Sequence, residues 1–463
     1  MATAPWFVLS PNALLSTIGL LRGPDKTVPT PAEDWHDAVV DVVIPAFEEE
    51  DNIVHCLASI ARQTLKPRHV ILVEDGAKDQ TVARACEYAQ AAGIDLTVIE
   101  RKSSIGKTPT IKRQSREFDS DVEFILDGDT FLESPNYIER CVQELYQGVG
   151  IASACGTILP MRPQDRHALA QSDEFRRWHG APTYDDPHAR RGVLHSFWWW
   201  ITNTYRTCLY TFLQRFVYVG QMTFFGSITN PVGCAVAYRR KYIKDLFDRY
   251  EPIFGDDLTN SEDIFIGFAL INEGYRNAQL QDVRARSEEP EVQRLPRQIY
   301  LWSSSFLQSC YYFDPLLRTP FKALKLWKKK RQEAASGEAQ RVADLRKVKE
   351  QYRQPFGEKY TQTYGRPIGW TVFMSAIEKV GFPTALIVMT ILGMWEPLAV
   401  TIVAEMIVSL AVLAAVSRGE RVRGVLRGLL ITPLRYALIF ADFFTILRFA
   451  FDLWITGNRK WRK

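Results

Sequence analysis

The sequence is poor in what a disulfide-held or zinc-held scaffold needs. Seven cysteines are scattered over 463 residues with no CxxC pair. That excludes a zinc ribbon and a disulfide framework, and it agrees with a reducing compartment around the soluble part. Seven histidines form no HxH or HExxH pattern, so the local histidine motifs of a metal centre are lacking as well. A GxxxxGK(S/T) loop is also lacking. "SIGKTPT" carries Gly106, Lys107 and Thr108 without the upstream glycine, which argues against a P-loop NTPase. Lys107 is left to contact a phosphate or to sit in a surface turn. The net charge is only +4, so no global excess of positive charge points to nucleic acid as a partner. The N-terminus lacks the continuous apolar core of a secretory leader. Trp6 to Leu21 is interrupted by Pro11 and Asn12 and reads as a packed arm in preference to an interfacial helix.

What is present begins with a large apolar content. Hydrophobic residues make up 46% of the chain and aromatic ones 12%, enough for a sizeable core. The length implies about two or three structural units. "VVDVVIPAF" (39–47), "HVILVEDGA" (69–77), "DLTVIE" (95–100) and "VEFILDGDT" (122–130) read as buried strands. Between the first three lie helical stripes, one with Ile53, Leu57 and Ile60, another ended by Gly93. Strands alternating with helices predict an α/β fold with a mostly parallel sheet. Ligands of such sheets bind beyond the carboxyl ends of the strands. Asp75, Asp127 and Asp129 stand at such ends and are expected to face one crevice.

Two carboxylates aimed at one point repel each other, and a divalent cation relieves the repulsion. Asp127 and Asp129 therefore predict a Mg²⁺ or Mn²⁺ site that neutralises a diphosphate leaving group. Asp75 is expected to accept hydrogen bonds from a base or ribose. The bland alternative for "DGD" is a tight turn, where Asp and Gly are common.

The C-terminal third reads differently. "KALKLWKKKRQ" (322–332) is strongly basic and precedes an apolar tail, which predicts a juxtamembrane role. A charged helical pattern follows it. Val380 to Trp395 and Leu398 to Val416 are apolar runs split by Glu396-Pro397, and the second reaches the roughly 20 residues needed to span a bilayer. Glu405 inside it should face protein or a polar pathway. Gly428 to Ile455 is long enough but carries Arg435, Asp442 and Arg448. It lines a channel, is kinked at Pro433, lies partly in the interface, or pairs its charges within a helix bundle. The basic segments at 417–427 and at the C-terminus are both expected on the cytoplasmic side.

Six segments occur in an informative order: "VVIPAFEEEDNI", "VILVEDGAKDQT", the Gly106-Lys107 pair, "FILDGDT", "NPVGCAVAYRR" and "SEDIFIGFALINEGYR". In order and rough spacing they resemble family-two inverting glycosyltransferases, and more narrowly the membrane-embedded polysaccharide synthases of cellulose, chitin, hyaluronan and alginate. The resemblance covers Val39 to about Trp302 and the membrane tail. It implies a GT-A type nucleotide-sugar-binding domain over 39–315, after an arm over 1–38. Basic interfacial helices over 316–370 and a transmembrane region over 371–463 would follow. It implies a nucleoside diphosphate sugar, with UDP as nucleotide, as donor. Asp75 and Lys107 would bind this donor with Asp127 and Asp129, the latter pair holding the metal. Asp263 would be the general base, and Gly233, Cys234, Glu262, Gln298 and Trp302 would meet the acceptor. The implied partners are a polysaccharide or lipid-linked acceptor and a lipid bilayer, with a homo-oligomer or accessory export subunits in addition. The implied location is the inner (plasma) membrane, multi-pass, with the catalytic domain cytoplasmic.

Asp263 also stands out by position. "GDDLTNSEDIF" offers Asp256, Asp257, Glu262 and Asp263 as bases. Asp263 opens an apolar helical run ending near Gly274, and Asn260 or Ser261 can cap that helix. Its carboxylate then faces the positive end of the helix dipole. The family pattern is broken at "QIYLW": Gln298 and Trp302 match QxxRW, but Leu301 stands where an arginine is expected. Leucine cannot clamp phosphate, which puts processivity in doubt. The resemblance would also place membrane helices ahead of the transferase domain, and none is expected in the stretch before Val39. Ser196 to Gly226 is unusually aromatic, which suits sugar stacking, a membrane interface, or plain core packing. Three readings follow: a synthase that elongates and exports a polysaccharide; a transferase moving one sugar to a polyprenyl phosphate; and a transporter or scaffold with an inactive transferase domain.

Overall fold

The computed structural model describes residues 11–23, 34–147, 150–180, 184, 186, 192–254, 261–338, 340–341, 344–345, 357–417 and 419–457. Asp256, Asp257 and Asn260 lie outside the described residues, as does the basic C-terminal end at 458–463. So does much of the charged helical pattern beyond residue 345.

The β-branched runs form strands β1 (Val40–Ala46), β2 (His69–Glu74), β3 (Leu96–Glu100) and β4 (Val122–Leu126). Crossover helices Ile53–Ala61, Thr81–Ala92 and Lys107–Glu117 lie between them. Gly93 ends the second of these helices in the left-handed region (φ +67°), where a side chain would be strained. Four further strands complete the sheet: β5 (Thr130–Leu132), β6 (Ile151–Pro160), β7 (Ala235–Arg239) and β8 (Arg276–Ser287). Among the described residues the sheet has eight strands in the order β3-β2-β1-β4-β7-β6-β8-β5. Four of its seven pairings are parallel.

Two antiparallel pairings build the crevice. β7 runs against β4 with Ala235 opposite Leu126, so the Asp127 N–H donates to the Cys234 carbonyl at 2.9 Å. β5 runs against β8 with Thr130 opposite Ser287, and the Glu288 N–H reaches the Asp129 carbonyl at 3.1 Å. The ends of β4, β7 and β8 thus meet at one point. The core beneath them is continuous, with Val42, Ile71, Phe124 and Phe268 fully buried.

The N-terminal helix Pro11–Arg22 is docked against the protein. A Cβ on its Gly19 would lie 2.6 Å from the Gly220 Cα, so the two backbones touch. The Asn12 N–H donates to Glu378 at 3.0 Å, which ties this arm to the first apolar helix.

Helices Gly369–Ile391 and Trp395–Val416 are both long and apolar enough to cross a membrane. The break between them falls at Gly393 (φ +66°), not at Glu396-Pro397 as the sequence suggested. Pro397 stands in the first turn of the second helix, where a missing N–H costs no helical bond. Helix Arg421–Ala450 runs on through Pro433. Arg435 and Asp442 pair within the bundle. Arg435 Nη1 donates to Glu405 at 2.8 Å, and Tyr436 donates its hydroxyl to the same carboxylate at 2.9 Å. Lys379 lies 2.6 Å from Asp442, which also accepts the Ser303 hydroxyl. Buried charges need such partners, and these pairs lock the long helix to its neighbours.

Candidate active site

The "DGD" segment is a turn and a carboxylate pair at once. β4 ends at Leu126, and the Thr130 N–H closes a turn onto the Asp127 carbonyl at 2.9 Å. Gly128 lets Glu49 close over this turn, since a Cβ there would lie 3.0 Å from the Glu49 Cγ. Asp129 accepts the Thr130 hydroxyl at 2.9 Å. Loss of water at the cavity wall, and then the charges of Glu49 and Asp127, push the Asp129 carboxyl well above the usual range. Burial raises Glu49 to about 7 against the Asn52 hydrogen bond, with Glu288 and Asp127 adding repulsion. Carboxylates crowded in this way favour a cation.

A divalent metal fits this donor set in part. Among the described residues no three His, Cys, Asp or Glu side chains converge as ligands. Mg²⁺ and Mn²⁺ sites commonly use one or two carboxylates and fill the rest of the shell with water and substrate phosphate. Asp127 and Asp129 match that pattern.

Asp75 stands apart from the other candidates. It does not line the cavity that holds the other candidates. Its carboxylate accepts from Arg101 Nη1 (2.8 Å), the Ser104 hydroxyl (2.7 Å) and the N–H groups of Ile105 (3.1 Å) and Gly106 (2.8 Å). Burial alone would raise its pKa, but these donors outweigh it and hold the carboxyl below its ordinary value. Asp75 therefore shapes the loop that delivers Lys107.

Lys107 opens helix Lys107–Glu117 and reaches across the crevice. Its Nζ lies 2.6 Å from Asp127 and 2.7 Å from Glu262, and it donates to the Gly233 carbonyl at 3.1 Å. Burial opposes the ammonium, yet Asp127 and Glu262 overcome it and hold its pKa well above the usual range. Glu262 is shifted upward by burial, against the pull of Lys107, with Asp263 and Asp127 adding repulsion.

Asp263 stands in the first turn of helix Glu262–Glu273, with Ser261 as N-cap and Gly274 as the stop. Its Oδ1 accepts the Ser261 hydroxyl at 2.5 Å and the Ile264 N–H at 2.8 Å. Its Oδ2 accepts the Gly233 N–H at 3.2 Å. The fit to Gly233 is close: a Cβ there would meet the Asp263 Cβ at 2.8 Å and its Cγ at 2.9 Å. Gly233→Ala is therefore expected to push the Asp263 carboxylate aside. Transfer should fall on the order of 10²-fold, the scale of a misplacement of about 1 Å. Nucleotide affinity should stay near wild type while the melting temperature falls, since the overlap is with the anchored Asp263 Cβ, and steady-state kinetics beside calorimetry checks both.

Helix Leu295–Tyr312 forms the opposite wall through Gln298 and Trp302. The sequence reading noted a missing arginine at Leu301. The cation beside Trp302 comes from elsewhere. Arg206, fully buried in the aromatic helix Val193–Phe212, lies 4.3 Å from the Trp302 ring centroid. It also donates to Gln298 and lies 3.3 Å from Glu289. Burial lifts Glu289 to about 7 despite Arg206. Only the lone arginine among the aromatics of "WWWITNTYR" hinted at this arrangement. Glu49, Glu288 and Glu289 were likewise missed, and the "SEEP" run (287–290) closing β8 was their signal.

Lys107, Asp127, Asp129, Gly233 and Cys234 line one cavity of about 720 Å³, and so do Glu262, Asp263, Gln298 and Trp302. Of the described candidates from the sequence, only Asp75 is left out of that lining. Nine carboxylate residues line it, against Lys107 and Arg294 as the Lys and Arg side chains, so its field favours cations.

This geometry coincides with a family match: residues 41–247 fit the model described as "Glycosyl transferase family 2". The match covers somewhat less than half of the chain and includes the strands that carry Asp75, Asp127 and Asp129. The fold is the GT-A-like, mostly parallel sheet expected of it, followed by helices of which two are candidate apolar spans. No curated protein matches the chain by sequence. Similar solved structures include a mannosyltransferase from Pyrobaculum calidifontis in complex with GDP-Man and Mn²⁺ (14% identity, 94% of each chain covered, TM-score 0.48). Another is glucosyl-3-phosphoglycerate synthase from Mycobacterium tuberculosis with Mn²⁺, UDP and phosphoglyceric acid (15% identity, 62% of this chain and 87% of that one, TM-score 0.35). A third is S. aureus TarS 1-349 with UDP (14% identity, 58% and 65%, TM-score 0.33).

Proposed function

We propose that this chain is a membrane-bound, metal-dependent inverting glycosyltransferase. It takes a sugar from a nucleoside diphosphate sugar, with UDP as nucleotide, and adds it to a growing saccharide. The observation that carries this reading is the Lys107 ammonium, which joins Asp127 to Glu262 and so couples the diphosphate side of the crevice to the Asp263 side. Asp127 and Asp129 would hold a divalent cation, Mg²⁺ or Mn²⁺, which would supply charge neutralisation for the diphosphate. Lys107 adds a fixed positive charge beside it.

The acid–base work falls to Asp263. Its Oδ1 is taken by two donors, whereas its Oδ2 accepts one N–H and keeps acceptor capacity. An acceptor hydroxyl gives its proton to Oδ2 as its oxygen bonds to the anomeric carbon. The bond from that carbon to the diphosphate breaks on the opposite face, and the configuration inverts.

The acceptor wall favours a saccharide. Trp199, Tyr210 and Trp302 line the cavity, and aromatic rings suit sugar faces. The buried Nε1 of Trp199 and Nε2 of His195 line the cavity without a hydrogen-bond partner among the described residues, and sugar hydroxyls suit them. Glu291, which pairs with His195, and Glu289, beside Tyr210, stand on that wall and disfavour a phosphate acceptor such as a polyprenyl phosphate. The two apolar helices support attachment to the membrane, and the basic segment at 417–427 favours the cytoplasmic face for the domain. Product size tests the acceptor. Purified chain given a labelled UDP-sugar and a saccharide primer should yield a ladder of lengthened products. A single addition restricted to polyprenyl phosphate would overturn the saccharide reading.

A further inference from the structure

Helix Thr319–Ser336 is amphipathic in an unusual sense: its apolar stripe faces outward. Phe321, Leu324 and Trp327 are 77%, 64% and 54% exposed. Spaced three apart, they fall on one arc of the helix. The inward face carries cations with internal partners. Lys329 lies 4.4 Å from the Tyr360 ring centroid and 4.6 Å from that of Tyr364, and it pairs with Glu333 at 3.2 Å. Lys322 donates to the Gln362 carbonyl at 2.9 Å. Lys328 and Arg331 are exposed and continue the arc of the apolar stripe. A soluble surface would carry these two faces the other way round.

The stripe also runs into the candidate spans. The Phe321 ring stands edge-on to Phe373 of helix Gly369–Ile391, with centroids 5.6 Å apart. We propose that helix Thr319–Ser336 lies in the headgroup plane of an anionic bilayer. Phe321, Leu324 and Trp327 sit at the acyl boundary, and Lys328 and Arg331 contact lipid phosphates. An interfacial helix with aromatic and aliphatic residues on one face and lysines beside them binds in this way. The exposed cations select anionic lipid over zwitterionic lipid. This deepens the membrane part of the proposed function and owes nothing to the catalytic part.

The test uses the full chain in lipid nanodiscs, with an environment-sensitive fluorophore on Leu324→Cys and the exposed native thiol removed by Cys86→Ser. Emission should shift to the blue in discs containing phosphatidylglycerol, and less in pure phosphatidylcholine. Each of Lys328→Gln and Arg331→Gln should lower the lipid-bound fraction relative to free by about fivefold, the weight of one cation near a charged surface. Water-like emission in both lipids from a chain that has entered the discs overturns this proposal alone. A chain that stays out of the discs overturns the membrane reading with it. A blue shift that persists in detergent and grows with protein concentration assigns the stripe to a second copy of the chain and overturns the lipid.

Discussion

Asp263→Asn is expected to lose transfer by at least about 10²-fold, the lower end for a positioned general base. The fold should survive, because asparagine keeps the shape and its one oxygen can still accept the Ile264 N–H and the Ser261 hydroxyl on the Oδ1 side, with only the Gly233 bond to Oδ2 lost. What disappears is the basic oxygen. Nucleotide binding should be nearly unchanged, since the Asp127 and Asp129 side of the crevice is untouched. Calorimetric titration with UDP in the presence of Mn²⁺ beside a transfer assay separates the two effects. Asp257→Asn should do much less. If Asp257→Asn is the dead variant and Asp263→Asn still transfers sugar, the base has been misassigned.

Asp129→Asn is expected to nearly abolish activity for a different reason. It removes one of two charged ligands from a site that has few to spare. Mg²⁺ or Mn²⁺ should then no longer raise the affinity for UDP, whereas in the wild type it should. The neutral side chain also relieves the repulsion among Glu49, Asp127 and Asp129, so the variant should be at least as stable as the parent without metal. Loss of activity with unimpaired melting temperature is the signature. Turnover that is equal in EDTA and in metal would contradict the whole metal assignment.

The sheet was legible because its signals are local. An apolar β-branched run ending in a carboxylate, such as Phe124 to Asp129, announces a buried strand and the place where it stops. The Asp263 helix was legible for the same reason: Ser261 starts it, an apolar stripe follows, and Gly274 ends it in the left-handed region (φ +99°). Side-chain direction was not legible. Asp75 stands at a strand end like Asp127, yet it turns onto a loop 29 to 31 residues further along. Nothing in "VEDGA" says which loop will fold back on it. The cation beside Trp302 was hidden by distance, since Arg206 lies 92 residues before the Gln298 it holds. The helix break at Gly393 was misread because a proline in a first turn looks like a breaker from the sequence alone. Of the alternatives for Arg435 and Asp442, pairing within the bundle is the one observed. That outcome depends on Glu405 and Lys379, which stand on other helices.

The claim on which the rest depends is that this crevice transfers sugar from a nucleotide with inversion. The direct measurement is to incubate the purified full chain with a panel of nucleotide sugars and Mn²⁺, following nucleoside diphosphate release and the anomeric proton of the first product by NMR. The account predicts release from at least one UDP-sugar, dependent on metal and lost in Asp263→Asn. It also predicts that the new anomeric signal has the configuration opposite to that of the donor. Release from no member of the panel, or a product that retains the donor's configuration, would contradict it.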